Sequence, residues 1–284
     1  MEDCLSAFEK YLKKEGKRPA TIEGYLNDLR LFVHWSKEFH GEEFNPKVTK
    51  VMVKTYIKGL EERGYKPSTI NRKLSAIRGF FKWAMEEGIL QRDPTKGVRG
   101  PRQVRRGLRS LSRAELNKLI EEAERKGNKL HEAVVVFLAN TGLRASELVR
   151  LRMEDLEIGQ GRGVVRIREK PGTFRKVPLN AEARRVLREY LAERPAGWDE
   201  VFVGQRGPLS KSGVYRLVKR LAERAGLKGV SPHTLRHTFG KMLVDAGVSL
   251  DRVAILLGHK SMEATRIYAT PSEEDLEEAV ERLV

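Results

Sequence analysis

Apolar positions recur at helical spacing through the first part of the chain. Leu5, Phe8, Tyr11 and Leu12 form one stripe, and Tyr25, Leu29, Phe32, Val33 and Trp35 a second. Val51, Val53, Tyr56, Ile57 and Leu60 make a third; Ile70, Leu74, Ile77, Phe80, Phe81 and Trp83 make a fourth. Such stripes are core-facing sides of helices, and Thr21, Thr49 and Ser68 stand where N-caps belong. The rhythm stops between Pro94 and Leu111, where Pro94, Gly97, Gly100, Pro101 and Gly107 fall among few apolar residues. It resumes at Ser112, which forms a capping box with Glu115 ahead of Leu116, Leu119 and Ile120. The run Ala133–Ala139 predicts a buried helix closed by Thr141-Gly142. From Gly163 to Leu179 the period changes to two. Val164–Ile167 and Arg175–Leu179 flank Pro171-Gly172, which predicts a β-hairpin. Helices are expected over 181–193, 211–225, 233–246, 249–257 and 272–283. The pattern gives a mainly α protein with a small β-hairpin.

Length and charge sharpen this. A chain of 284 residues suggests two domains, with helical residues 1–95, a linker at 96–110, a second domain at 111–270 and a tail at 271–284. The excess of 55 basic over 39 acidic residues gives a net charge of +16, which points to a polyanionic partner, nucleic acid first and an anionic membrane surface second. The predicted linker is the most basic stretch: between Asp93 and Glu115 lie Lys96, Arg99, Arg102, Arg105, Arg106, Arg109 and Arg113, with no acid. Contact with phosphate is the expected use of such a run. Cys4 is the single cysteine, so disulfide frameworks and cysteine zinc sites are excluded. No apolar run reaches membrane-spanning length, and the acidic start Met1-Glu2-Asp3-Cys4 is unlike a signal peptide, so the expected location is the cytoplasm. Eleven Asn and Gln beside abundant charge lean toward a thermophilic host.

Five places could carry chemistry. Arg144 follows a helix end and opens a short helix on which Glu147 lies three residues on, able to steady the guanidinium. Pro232 suits a first helical turn, after which His233, Arg236 and His237 share one face; a helix N-terminus with an arginine fork is a phosphate site. Zinc on His233 and His237 would need Glu where Thr234 stands, and no metal is expected. Gly258-His259 follows a helix. Tyr268 comes nine residues later, and a phenol needs cations and a base nearby to act as a nucleophile. Lys170 sits at the hairpin tip, with Arg168 and Lys176 as rivals for a lysine-type acid.

Arg144, Lys170, His233-x-x-Arg236, His259 and Tyr268, in this order, resemble the tyrosine recombinase (phage integrase) family. The segments Thr141–Leu148, His233–His237, Leu256–His259 and Thr265–Tyr268 look like its Xer-like branch, and Thr21–Tyr25 and Ser68–Leu74 look like its SAM-like core-binding domain. The resemblance implies a two-domain C-shaped clamp on double-stranded DNA, cleaving and rejoining strands through a 3′-phosphotyrosyl link without metal, ATP or other cofactor. It implies Tyr268 as nucleophile, Arg144 and Arg236 as phosphate clamp and Lys170 as acid to the leaving 5′-oxygen. It also implies His233 as acid/base, His259 as a phosphate ligand, and Glu147 and His237 in support. Arg72, Lys73, Arg99, Arg102, Arg105, Arg106 and Arg109 are the expected DNA contacts, with both clamp arginines exposed in a cleft. One departure stands out: the family hairpin reads Gly-Lys-Gly, whereas this chain has Glu169-Lys170-Pro171. A tetramer on two DNA sites is implied, with the acidic tail docking on a neighbour. The alternatives are a type IB topoisomerase-like enzyme and a catalytically idle DNA-binding protein.

Overall fold

The computed structural model describes residues 2–40, 48–102, 109–125, 127–170, 172–259, 261–268 and 280, without the side chains of residues 2, 39, 40 and 170. The chain divides into two compact units, residues 1–105 and 106–284.

Among the described residues the first unit holds four helices: α1 (Glu2–Lys14), α2 (Pro19–His40), α3 (Lys50–Glu62) and α4 (Pro67–Glu86). Their stripes converge on one aromatic core. Phe8 meets Phe80 edge-on at 5.4 Å, and Phe32 meets Tyr56 edge-on at 5.0 Å, geometries that suit the ring quadrupole. Val51, expected in the third stripe, is instead 70% exposed; it sits in the first turn of α3, off the face formed by Val53, Tyr56, Ile57 and Leu60. Thr49 caps α3, accepting from the Met52 amide. Thr21 and Ser68 do not cap. Pro19 and Pro67 open their helices one or two residues earlier, because a proline needs no amide partner in a first turn. The start of the predicted linker packs on this unit: Val98 is buried in its core, Arg78 donates to the Val98 carbonyl, and Asn71 Nδ2 donates to the Pro101 carbonyl at 3.0 Å.

The second unit starts with α5 (Arg113–Glu124), capped by the Ser112–Glu115 box, and α6 (Lys129–Thr141), nearly all of whose middle is buried. The short α7 (Ala145–Leu148) and a single 3-10 turn (Met153–Asp155) lead into an antiparallel sheet of β1 (Leu156–Ile158), β2 (Gly163–Lys170) and β3 (Thr173–Pro178), in that order. The predicted hairpin is β2–β3; β1, three residues long, is too short to show alternation and was not expected. Then come α8 (Ala181–Glu193), a two-stranded ribbon of β4 (Val203–Gly204) and β5 (Gly207–Pro208), α9 (Lys211–Arg224), α10 (Pro232–Asp245), α11 (Leu250–Leu257) and α12 (Glu263–Arg266). Helix α6 runs through the core and is tied to α8 by charge. Arg185 reaches Glu132, Glu182 and Glu189, while Lys129 reaches Glu132 at 3.2 Å and Glu189 at 2.7 Å. The predicted tail helix lies outside the described residues, except for Val280.

Candidate active site

The site is assembled at helix ends of the second unit. Helix α6 closes on Gly142, whose φ of 61° favours glycine. Space demands glycine too: a Cβ there would meet the Phe239 ring and lie 2.7 Å from Leu257. The reversal sets Arg144 as the residue before α7. Its amide donates to Glu147 Oε2 at 2.9 Å and its guanidinium to Oε1 at 2.7 Å, so one carboxylate holds the residue at both ends. A third bond runs from Arg144 Nη2 to the Gly258 carbonyl at 3.3 Å. The side chain remains 43% exposed, as expected for a group that meets a ligand.

Helix α10 begins at Pro232 under a cap of Ser231 on the Thr234 amide. This places His233, Arg236 and His237 on one face. Arg236, expected in an open cleft, is instead only 2% exposed. Its Nη1 donates to the Gly142 carbonyl at 2.7 Å and its Nη2 to the Leu257 carbonyl at 2.5 Å, so it ties the ends of α6 and α11 together. Such burial is tolerable because helix C-terminal carbonyls have no intrahelical donors and carry partial negative charge. Burial first, then the nearby Arg144 cation, lower its pKa to about 10, which leaves it charged at neutral pH.

Tyr268 follows α12 and turns inward, 9% exposed. Its hydroxyl is 2.9 Å from His237 Nδ1, and its ring lies parallel to that of His259 with centroids 6.2 Å apart. Gly240 makes room for it: a Cβ there would lie 2.7 Å from the ring carbon that bears the hydroxyl. His259 Nδ1 pairs with Thr265 Oγ1 at 2.9 Å, and the His233 and His237 rings meet edge-on at 4.2 Å. Burial and the surrounding cations lower all three imidazoles, His237 and His259 to about 4. Burial raises the Tyr268 phenol and outweighs the pull of Arg236 and Arg144. At neutral pH the cluster is therefore two guanidiniums, three neutral imidazoles and a neutral phenol, a positive site matched to an anion such as phosphate.

One member was not foreseen. Arg175, on β3, is 8% exposed and grips Glu147 with both nitrogens, Nη1 to Oε1 at 3.2 Å and Nη2 to Oε2 at 2.9 Å. The available signal was its position: Arg175, Val177 and Leu179 alternate onto one face, so a charge there faces inward. Burial alone would raise the Glu147 carboxyl; Arg175 and then Arg144 overcome this and hold it below the usual carboxylate range.

The remaining candidates divide. Lys170 ends β2 opposite Thr173, and its side chain lies outside the description. Its neighbour Glu169 engages Arg175 at 3.3 Å. Arg168 is committed to Glu154 and Asp155, and Lys176 is exposed on β3. Of the expected DNA contacts, Arg99 and Arg102 are exposed. Arg109 pairs with Glu115 at 3.1 Å, and Arg105 and Arg106 fall outside the described residues. Lys73 is a correction: it is 4% exposed, with Nζ 3.0 Å from the buried Asp28 carboxylate, because an apolar helix face can bury a lysine only on a counter-charge. Arg72 pairs with the same Asp28 from a half-exposed position. Among the described residues no group of three or more His, Cys, Asp or Glu side chains is placed to hold a metal, and no helix is long and apolar enough to cross a membrane.

Comparison with known proteins bears on the family and the fold. The phage integrase family profile matches residues 109–275, and that of the phage integrase N-terminal SAM-like domain matches residues 5–88. Tyrosine recombinase XerA of Pyrococcus furiosus is 31% identical over 288 residues, covering 99% of this chain and 93% of the relative. Tyrosine recombinase XerC of Roseiflexus castenholzii is 33% identical over 283 residues, covering 94% of this chain and 88% of the relative. Among solved structures, the XerH site-specific recombinase in a post-cleavage complex with a palindromic difH substrate superposes with a TM-score of 0.79 at 26% identity, covering 97% of this chain and 84% of that one. The match spans both units and includes the segments that carry the arginines, the histidines and the tyrosine; the chain belongs to the phage integrase family and is a Xer-like tyrosine recombinase.

Proposed function

We propose that this recombinase cuts and rejoins double-stranded DNA at specific sites by the following division of labour. The observation that carries the reading is the Tyr268 hydroxyl, held by the chain's own His237 in the same cluster as Arg144 and Arg236. Tyr268 Oη attacks the scissile phosphorus, the P–O5′ bond breaks, and a 3′-phosphotyrosyl ester and a free 5′-hydroxyl result. With its ring proton on Nε2, His237 accepts the phenol hydrogen bond through Nδ1 and lies on the path by which the proton leaves. Lys170 returns a proton to the departing 5′-oxygen. His233 and His259 are neutral at pH 7 and can donate to phosphoryl oxygens, with His233 also exchanging protons. Arg144 and Arg236 supply the fixed positive charge. The pentavalent transition state is more negative than the diester, and each preorganised donor of this kind is worth about 10²–10³ in rate. The ester energy is retained, so rejoining needs no nucleotide.

The basic stretch from Arg99 to Arg109 follows the phosphate backbone, which fits a protein of net charge +16. Four copies on two DNA sites, linked through the acidic tail beyond Pro271, complete the exchange inside the cell.

A nicked suicide duplex, from which the cut strand end diffuses away, tests the assignment. The parent protein accumulates a covalent adduct, whereas Tyr268→Phe binds the duplex with unchanged affinity and forms none. An adduct formed by Tyr268→Phe would show that another residue is the nucleophile.

A further inference from the structure

Helix α11 ends in a fan of carbonyls. Leu256 O accepts from Arg175 Nε at 3.1 Å, Leu257 O from Arg236 Nη2, and Gly258 O from Arg144 Nη2. Three consecutive acceptors that the helix leaves without intrahelical donors are thus taken by three different arginines, and the next residue is His259. Two of these arginines are the phosphate clamp. The third is Arg175, and it also reaches the clamp by a second route. Its fork spans both oxygens of Glu147, the same carboxylate that holds the Arg144 amide and guanidinium. Paired forks of this kind fix orientation as well as distance. Glu147 by itself can pivot; gripped by Arg175 from the sheet side, it has one orientation to offer Arg144. Packing here leaves little slack. At Gly258, with φ 63°, a Cβ would lie 2.6 Å from Arg175 Nη1 and 2.8 Å from Glu169 Oε1.

We propose that Arg175 is a positioning residue for DNA cleavage, acting through Glu147 and the α11 carbonyl fan to aim the Arg144 guanidinium at the scissile phosphate. The role rests on Arg144 being a phosphate clamp. Arg175 touches no reacting atom. It also binds β3 and, through Glu169, the root of the hairpin tip to the same frame, so the sheet and the clamp move as one.

The test uses Arg175→Lys in the full-length protein, alone and combined with Arg144→Lys. Lysine keeps the charge but cannot span two oxygens. Three quantities are read: single-turnover adduct formation on the nicked duplex, DNA affinity, and melting temperature. Arg175→Lys should slow adduct formation at least tenfold, with affinity unchanged within threefold and a cooperative melt retained. Added to Arg144→Lys, it should slow the reaction further by less than threefold, because the group it aims is already compromised. Adduct formation by Arg175→Lys within threefold of the parent overturns the proposal. So do losses that multiply in the double variant, the mark of a residue that only supports the fold. If Arg175→Lys does not fold, Glu147→Gln carries the same cycle with the same expected non-additivity and the same refuting outcomes. A parental rate for Arg144→Lys alone would instead remove the clamp itself and with it the role of Arg175.

Discussion

Replacing Gly240 with alanine should separate catalysis from stability. The Cβ would stand 2.7, 2.8 and 3.0 Å from three carbons of the Tyr268 ring. Carbon atoms rest about 3.5–4.0 Å apart, so the ring must retreat from α10 by roughly 1 Å. His237 lies three residues earlier on the same helix, and the 2.9 Å bond to the hydroxyl would stretch to roughly 3.9 Å, beyond hydrogen-bond range. A misplacement of that size costs about 10²-fold in rate. The stability change is small by comparison. Overpacking costs about 1–3 kcal/mol, and exchanging a mid-helix glycine for alanine returns about 0.5–1 kcal/mol. For a unit of this size the net change lowers Tm by at most about 10 °C. Single-turnover adduct formation on the nicked duplex, with a thermal melt of the same sample, measures both. Adduct formation within threefold of the parent would refute the idea that the Gly240 contact fixes the nucleophile.

The two arginines proposed as the phosphate clamp should behave differently when truncated. Arg144→Ala should lose cleavage by about 10²–10³ with little change in Tm, whereas Arg236→Ala should also lower Tm markedly, because it strips donors from the buried Gly142 and Leu257 carbonyls, each costing about 1–3 kcal/mol; equal Tm values would contradict the burial of Arg236. On acidification, His237 and His259 take up protons near pH 4 in the folded state but near 6.5 when unfolded. The unfolded chain therefore binds more protons between these values, so stability from these groups is full above about pH 6.5 and lost as pH falls toward 4. Tm that is flat from pH 7 to 4 in the parent would contradict this, and His237→Phe should weaken the dependence. Neutralising Arg99 and Arg102 together should reduce the slope of log affinity against log salt by about 2; an unchanged slope would leave these residues merely solvated.

What the sequence disclosed follows from the range of the forces involved. Apolar periodicity, the Ser112–Glu115 box and the β2–β3 hairpin are local, and all are legible. Arg144, Glu147, His233, His237, His259 and Tyr268 could be named because they sit in short ordered motifs, and the structure gathers them within one unit. Burial of charge was less legible. Arg236 lies on a helix face that reads as polar and Lys73 within the apolar stripe of Ile70, Leu74 and Ile77, and only the positions of Gly142, Leu257 and Asp28 in space show what absorbs their charge. Arg175 hid for the same reason, since its partner Glu147 is 28 residues away. Gly240 carried no signal because its function is the space it leaves for a residue from another part of the chain.

The charge web between α6 and α8 bears on how the enzyme responds to heat. Helix α6 is the beam from which Gly142 and Arg144 hang, and Arg185 and Lys129 brace it from outside through Glu132 and Glu189. Dehydrating ions becomes less costly as temperature rises, while hydrophobic burial gains little more. The brace thus gains relative weight in hot conditions, when α10 and α11 depend most on a rigid α6 to keep the arginines aligned. Concentrated salt acts in the opposite direction, screening the exposed members of the web. The geometry around Arg144 is thereby tied to two environmental variables through side chains outside the Tyr268 cluster.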